Sequence, residues 1–383
     1  MIPFGDFLYF GLLLYLAVPV VICGVLGVPP RRFILPATLV MVVLQFGLVT
    51  DGGWPASTRS IARVLGFVVL QFFVARAFVR MRRAGKRQPV FYTAVLLGLA
   101  PLALEKLAPG SRGVVGFLGI SYATFRALDV TFAIQDGLVK ELSPSEYFSY
   151  LVFFPSISAG PIDRFRRFRK DYEAPRSRAQ FLQDCDAAVE RIFRGMLYAF
   201  VLAPLIEKYW LSPARDATSA VGTVAYMYGY SLHLFFDFAG YSAFAIGTGY
   251  VLGVHIPENF DRPFWAQNIA DFWNRWHITL STWLRDHIYG RFVMTAAKGK
   301  WFADPKVAGY LGSWLAFALM GLWHGLESRY VVYGLYHATL MVGYLMLSQR
   351  KGPGRRALPP MLARVVTFHC VCFGFLIFSG RLF

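Results

Sequence analysis

Apolar stretches of about twenty residues recur along the whole chain, separated by short polar, basic or Gly- and Pro-containing breaks. Helices of that length cross the hydrocarbon core of a bilayer. The pattern predicts spans near 7–28, 33–50, 61–80, 90–107, 113–136, 187–205, 218–238, 309–326, 330–348 and 361–380. Two further stretches do not read as simple crossings. Residues 146–162 are apolar but short, and end in Pro155, Gly160 and Pro161; residues 240–290 begin apolar, then pass Pro257 and Pro263 into a polar-aromatic helix. Both are expected to be re-entrant, because broken backbone at membrane depth needs protein or a water-filled cavity around it. The expected fold is an all-α polytopic membrane protein. It has about ten or eleven transmembrane helices plus re-entrant or interfacial helices around a central cavity, in one domain over 1–383. No internal repeat or low-complexity linker breaks the pattern.

Composition strengthens the membrane reading. The 383 residues are 56% hydrophobic, 17% aromatic and only 16% charged, with a mean hydropathy of +0.47. A soluble domain carries about 25% charged residues, so this chain cannot cover a water-facing surface. The first span, roughly Phe7 to Gly27, is expected to be a retained helix and not a cleaved signal peptide. Asp6 precedes it where a basic segment would stand, and Arg31 and Arg32 follow. Four cysteines give no disulfide framework, and Cys370 and Cys372 would point about 200° apart on a helix, a poor chelate.

The net charge of +17 could suggest nucleic acid, but the basic residues cluster in short loops, as cytoplasmic loops require. No nucleic-acid partner is expected. Arg31-Arg32, Arg76 to Arg87, Arg164 to Arg178, Lys298 to Lys306 and Arg350 to Arg356 read as cytoplasmic. Charge-poor or mixed loops near Asp51 to Trp54, Ala108 to Gly110 and Trp210 to Asp216 read as external, with the N-terminus outside. A basic inner face attracts anionic lipid headgroups and acidic protein partners.

Two histidines in aromatic surroundings are the leading candidates for chemistry. His277 lies in Asp271-Phe-Trp-Asn-Arg-Trp-His-Ile-Thr-Leu-Ser281, and His324 in Gly321-Leu-Trp-His-Gly325. Imidazole exchanges a proton near neutral pH, and an ionisable group at membrane depth is a functional candidate by default. Asn268 is expected to cap the helix carrying His277, with Asp271 three positions on. On that helix Asn274 and Ser281 would share a face with His277. The competing reading is an amphipathic helix on the inner leaflet. Gly321 and Gly325 leave room beside His324 for a ligand or another backbone. His337, with Tyr333 one turn earlier, is a weaker candidate that reads as structural. His233 and Asp237 stand four apart, so Asp237 could orient His233. No two histidines are closer than His277 and His287, which argues against metal catalysis, since His pairs chelate at i+3 or i+4. Glycine-rich phosphate loops, a Gly-x-Ser-x-Gly elbow and a cysteine nucleophile are absent.

Phe153-Phe-Pro-Ser-Ile-Ser-Ala-Gly-Pro-Ile-Asp163, Phe235-Phe-Asp-Phe-Ala-Gly-Tyr-Ser242, the His277 segment and Gly321-Leu-Trp-His-Gly325 resemble the membrane-bound O-acyltransferase (MBOAT) family, in the family's order. Phe117-Leu-Gly-Ile-Ser-Tyr-Ala-Thr-Phe-Arg126, Ile134-Gln-Asp-Gly-Leu-Val139, Gly160-Pro-Ile-Asp-Arg164 and Phe375-Leu-Ile-Phe-Ser-Gly380 are similar to its D-alanylation subgroup. The sibling O-acetylases usually continue the His277-like helix into Pro-Leu-Gly-Gly-Asn, where this chain has Tyr289-Gly-Arg-Phe-Val293.

The resemblance implies a ring of helices around a central funnel, with His324 as the invariant family histidine and His277 as the second. It implies D-alanyl transfer from an acidic carrier protein's 4'-phosphopantetheine thioester to a hydroxyl acceptor, such as teichoic acid, with accessory membrane proteins passing D-alanine onward. No bound cofactor or metal is expected. Trp273, Asn274, Ser281, Trp323, Asp237 and His337 are the candidates for substrate contact. Arg164, Arg166, Arg167, Arg285 and Arg291 are those for carrier docking. The alternatives are an O-acetyltransferase of an exported polysaccharide and a non-catalytic transporter or scaffold, the latter favoured by paired inverted repeats, of which none is evident.

Overall fold

A computed structural model describes residues 3–5, 7–47, 53–85, 88–108, 115–349 and 358–383. The expected external turns near Asp51 and Pro109, and the basic run from Arg350 to Arg356, fall wholly or partly outside those residues. Backbone polar groups in hydrocarbon must be satisfied within their own segment. Accordingly the described elements are helices; an isolated antiparallel bridge joins Phe260 and Trp276, and no strand forms among the described residues.

The elements are α1 (Phe7–Val25), α2 (Ile34–Gly47), α3 (Gly53–Arg83), α4 (Gln88–Leu107), α5 (Ile120–Gln135), α6 (Pro144–Leu151), α7 (Phe165–Glu173) and α8 (Arg178–Met196). Short α9 (Ala203–Ile206) and α10 (Ser212–Arg215) follow, then α11 (Ala220–Leu252) and the broken pair α12 (Ile269–Trp273) and α13 (Ile278–Leu284). Last come α14 (Gly290–Gly299), α15 (Pro305–His324), α16 (Ser328–Gln349) and α17 (Pro360–Ser379). Each predicted span overlaps helical residues, 113–136 from Ile120 onward and 187–205 across the end of α8, a π turn and α9. Five helical stretches among the described residues are long and apolar enough to cross a membrane: α1, Thr58–Arg83 of α3, α4, α16 and α17. Only 17% of the apolar window of α1 or α4 is buried in protein, so these surfaces need lipid.

The expectation that α11 would end near residue 238 is corrected. The helix runs on to Leu252, because Gly240 to Leu252 contains neither proline nor charge to stop it and Pro257 lies beyond. The path through Arg178–Arg215 is also less regular than one span, with π turns at Leu197–Leu202 and Glu207–Leu211.

The chain packs as two compact units, Met1–Gly195 with Tyr241–Pro257, and Met196–Gly240 with Glu258–Phe383. In the first, the short apolar stretch is α6 followed by a 3-10 turn at Phe154–Ser156. Arg126 on α5, 1% exposed, donates to the Ser156 carbonyl at 2.8 Å and to the Tyr150 and Leu151 carbonyls at 3.4 Å. A buried cation at a chain break satisfies the carbonyls that α6 leaves open. Asp129 on α5 then takes the N–H of Phe165 at 2.8 Å, starting α7. In the second unit α15 and α16 form a tight hairpin, α17 packs on α16, and α12 leans on both α16 and α17.

Candidate active site

Asn268 caps α12 as expected: its side chain accepts the Asp271 N–H at 2.8 Å. Asp271 in turn accepts from the Gln267 N–H at 3.0 Å and from Arg275 Nε at 2.7 Å. The helix nevertheless ends after one turn. The expectation of one helix carrying Asn274, His277 and Ser281 on a common face is corrected, because His277 adopts the left-handed conformation, φ 42° and ψ 51°. Segment 259–261 decides this. Ile278 N–H donates to the Asn259 carbonyl at 3.0 Å, Thr279 Oγ1 to Asn259 Oδ1 at 2.6 Å, and Asp261 N–H to the Arg275 carbonyl at 3.0 Å. These bonds over-determine a backbone that a non-glycine residue otherwise avoids, and such strain gathers at functional positions. Asn274 is left exposed. Ser281 remains close to His277 through its N–H, which donates to the His277 carbonyl at 3.0 Å.

His277 is 4% exposed, with Phe238 of α11 edge-on at 4.8 Å between ring centroids. Its Nδ1 is buried without a protein hydrogen bond. The residue lies in the broken segment, outside the five candidate spans. Burial first, and then nearby His324, hold its pKa well below the usual imidazole range, so the ring is neutral.

His324 ends α15 and is half-buried. Trp323 lies 4.4 Å from it between ring centroids, Phe378 4.9 Å, Tyr330 6.1 Å and Tyr333 6.2 Å. The same Trp323 ring is 6.3 Å from His277. The room expected at Gly321 and Gly325 is taken by α16. A Cβ on Gly321 would stand 2.5 Å from the Tyr330 carbonyl oxygen, and one on Gly325 would strike the Tyr330 ring. These glycines let α16 approach the histidine; they do not hold open a ligand space.

His337 is fully buried, and neither ring nitrogen bonds a protein group. Tyr333 at 4.6 Å and Trp273 at 5.0 Å flank it, so Tyr333 touches both His324 and His337. Trp273, Asn274, Ser281 and Arg285 line a mostly apolar cavity of about 230 Å³, together with Phe317 and Met341. Four residues read from sequence therefore meet in one cavity, while His277, His324, His337 and Trp323 lie outside its wall.

Asp237 does not orient His233. It is exposed, and His233 Nδ1 donates to the Ala203 carbonyl at 3.1 Å.

Among the basic candidates, Arg164 is committed to Asp129 at 3.0 Å, and Arg167 pairs with Asp163 and Asp171. These two pin α7 to its own unit. Arg166 and Arg285 are exposed, Arg285 beside Asp286 at 3.2 Å, and Arg291 is half-buried. Sequence reasoning missed the clasp at His255, whose Nε2 meets Asp184 at 3.0 Å while its backbone N–H donates to Asp171 at 2.7 Å. Separations of 71 and 84 residues leave no periodic signal of it.

The profile of the membrane-bound O-acyltransferase family matches residues 66–374. The chain is 38% identical to the teichoic acid D-alanyltransferase of Bacillus subtilis strain 168, over 100% of this chain and 99% of that one. It is 36% identical to the teichoic acid D-alanyltransferase of Lacticaseibacillus rhamnosus, over 99% and 97%. The probable alginate O-acetylase AlgI of Pseudomonas aeruginosa is 31% identical over 69% of this chain and 49% of its own length. A histidine pair set in aromatic rings, apolar helices and a match over most of the chain agree: this multi-pass membrane protein belongs to the membrane-bound O-acyltransferase family and is an acyltransferase.

Proposed function

We propose that the protein transfers D-alanine from the phosphopantetheine thioester of an acidic cytoplasmic carrier protein to a hydroxyl acceptor on or towards the extracytoplasmic side, for D-alanylation of teichoic acid. One observation carries the choice of acyl group. The similarity to teichoic acid D-alanyltransferases runs end to end in both chains, whereas that to the alginate O-acetylase covers 49% of the latter. The net charge of +17 suits an acidic carrier, with exposed Arg166 and Arg285 as contact candidates in place of the internally paired Arg164 and Arg167. Accessory membrane proteins would pass D-alanine onward.

In this reading His324 accepts the proton of the acceptor hydroxyl as its oxygen attacks the thioester carbonyl. The carbon–sulfur bond then breaks, the ester carbon–oxygen bond remains, and the proton passes from His324 to the departing thiolate. Neutral His277 donates a hydrogen bond to the carbonyl oxygen as it gains charge. Trp273, Asn274 and Ser281 contribute the wall against which the arm is held, so that proximity supplies much of the acceleration. The balance needs no metal and no nucleotide.

The test follows loss of labelled D-alanine from its carrier thioester on adding purified protein in liposomes, beside His324→Ala. Histidine-dependent loss from the D-alanyl carrier, absent with an acetyl carrier, is the expected result. Loss from the acetyl carrier alone would move the protein to the O-acetyltransferases.

A further inference from the structure

Trp273 and His337 pack on each other at 5.0 Å between ring centroids and are 6% and 0% exposed. Trp273 Nε1 and both ring nitrogens of His337 make no hydrogen bond within the protein. The cage around them is aromatic. Phe317 lies 5.2 Å from Trp273 and 6.3 Å from His337, and Tyr333 lies 4.6 Å from His337. Polar atoms left unpaired in such a cage are costly, and a leucine in place of His337 would carry no such cost. On the α17 side Nε2 abuts Gly374, where an added Cβ would stand 2.5 Å from it. Nδ1 is the nitrogen left for a ligand.

The pair stands between the cavity and His324. Trp273 and Phe317 line the cavity, which also reaches exposed Arg285, and His337 packs behind both rings. Tyr333 joins the other side, touching His337 at 4.6 Å and His324 at 6.2 Å. Along the α15–α16 hairpin, the cavity residues Ser313 and Met341 lie to one side of the Phe317–His337 contact and His324 to the other. No hydrogen bond holds the indole, so a turn of its ring opens the cavity onto His337.

The unpaired atoms specify what fits there. An indole N–H can only donate, and an uncharged imidazole offers an acceptor. Together they match a group that carries a carbonyl oxygen and an N–H, which is an amide. None of the rings packed on His337 is charged, so an ionic group would be poorly held. We infer that Trp273 and His337 bind the amide nearest the thiol of the donor's phosphopantetheine arm. Trp273 Nε1 donates to the amide oxygen, and the amide N–H donates to His337. The inference rests on the carrier-borne thioester proposed above. That amide is separated from sulfur by a single ethylene unit, a spacing that lets the thioester carbon lie at His324 while the amide lies at His337.

The test loads the carrier protein with either of two D-alanyl arms. One is natural; in the other an ester replaces the amide nearest the thiol, keeping the carbonyl and lacking the N–H. Transfer by the full-length protein in liposomes is measured as kcat/KM. Wild type is expected to prefer the natural arm by about tenfold, because the ester leaves the imidazole acceptor unpaired. His337→Leu should abolish that preference by slowing the natural arm alone. His337→Asn, which keeps an acceptor, should retain most of it even if the leucine variant folds poorly. Trp273→Phe should slow both arms alike, since both carry the carbonyl. Equal rates of wild type on the two arms overturn the inference and leave the donor assignment standing, whereas transfer from neither arm overturns both. A preference that survives in His337→Leu, as a ring with a purely structural role would give, overturns the inference as well.

Discussion

The indole of Trp323 lies 6.3 Å from the imidazole of His277 and 4.4 Å from that of His324, ring centroid to centroid. Two titratable rings 47 positions apart in the chain thus share one rigid aromatic neighbour. His277 sits buried on a strained backbone, and His324 half-buried at a helix end. Base and carbonyl-polarising group can then be separate residues with separate exposures.

His324→Ala should lower the transfer rate by about 10²–10⁴-fold, the usual contribution of a general base, with thermal stability near wild type because the residue terminates α15. Rates of D-alanyl release from the carrier check it. A loss under about tenfold in a folded protein would remove His324 from that role.

Conformation and chemistry separate at His277. Asparagine tolerates the left-handed region, so His277→Asn should fold like wild type yet lose transfer. His277→Val places a β-branched residue at φ 42° and should also destabilise, by about 1–2 kcal/mol. Unfolding curves and rates for both variants test this, and His277→Asn with full activity would refute a role for the ring.

A Cβ on Gly334 would lie 2.5 Å from the Phe317 carbonyl oxygen and 3.2 Å from Gly321 Cα. Gly334→Val should therefore push α16 from α15, cost about 1–3 kcal/mol and displace Tyr333 and His337. Lowered thermal stability together with lost activity is expected. Wild-type stability in this variant would mean that the hairpin is not close-packed.

Burial alone would raise the Asp171 carboxyl, but the hydrogen bonds from His255, and then the charge of Arg167, outweigh it and hold its pKa below the usual carboxylate value. The folded state therefore favours the ionised form. The resulting stability is complete above the unfolded pKa of about 4 and is lost as pH falls through the lower folded value. The melting-temperature gap between wild type and Asp171→Asn should be widest at neutral pH and close in acid. A gap that widens below about pH 4 would contradict the sign.

The long apolar runs located the helices that face lipid, such as α1 and α4, since a lipid-facing stretch must be apolar for its full length whatever packs beside it; the true end of α11 and the π turns at 197–211 left no such signal. The same local logic found the Asn268 cap, and residue type singled out His277 and His324. Tertiary structure decided the rest. The break at His277 depends on bonds from Asn259 and Asp261, the filling of Gly321 and Gly325 on Tyr330 of another helix, and the engagement of Arg164 and Arg167 on carboxylates of their own unit. Propensity and spacing report how a residue meets its chain neighbours and the solvent. A strained backbone, a neutralised arginine or a shared indole is set by partners tens of residues away, whose approach no local pattern encodes.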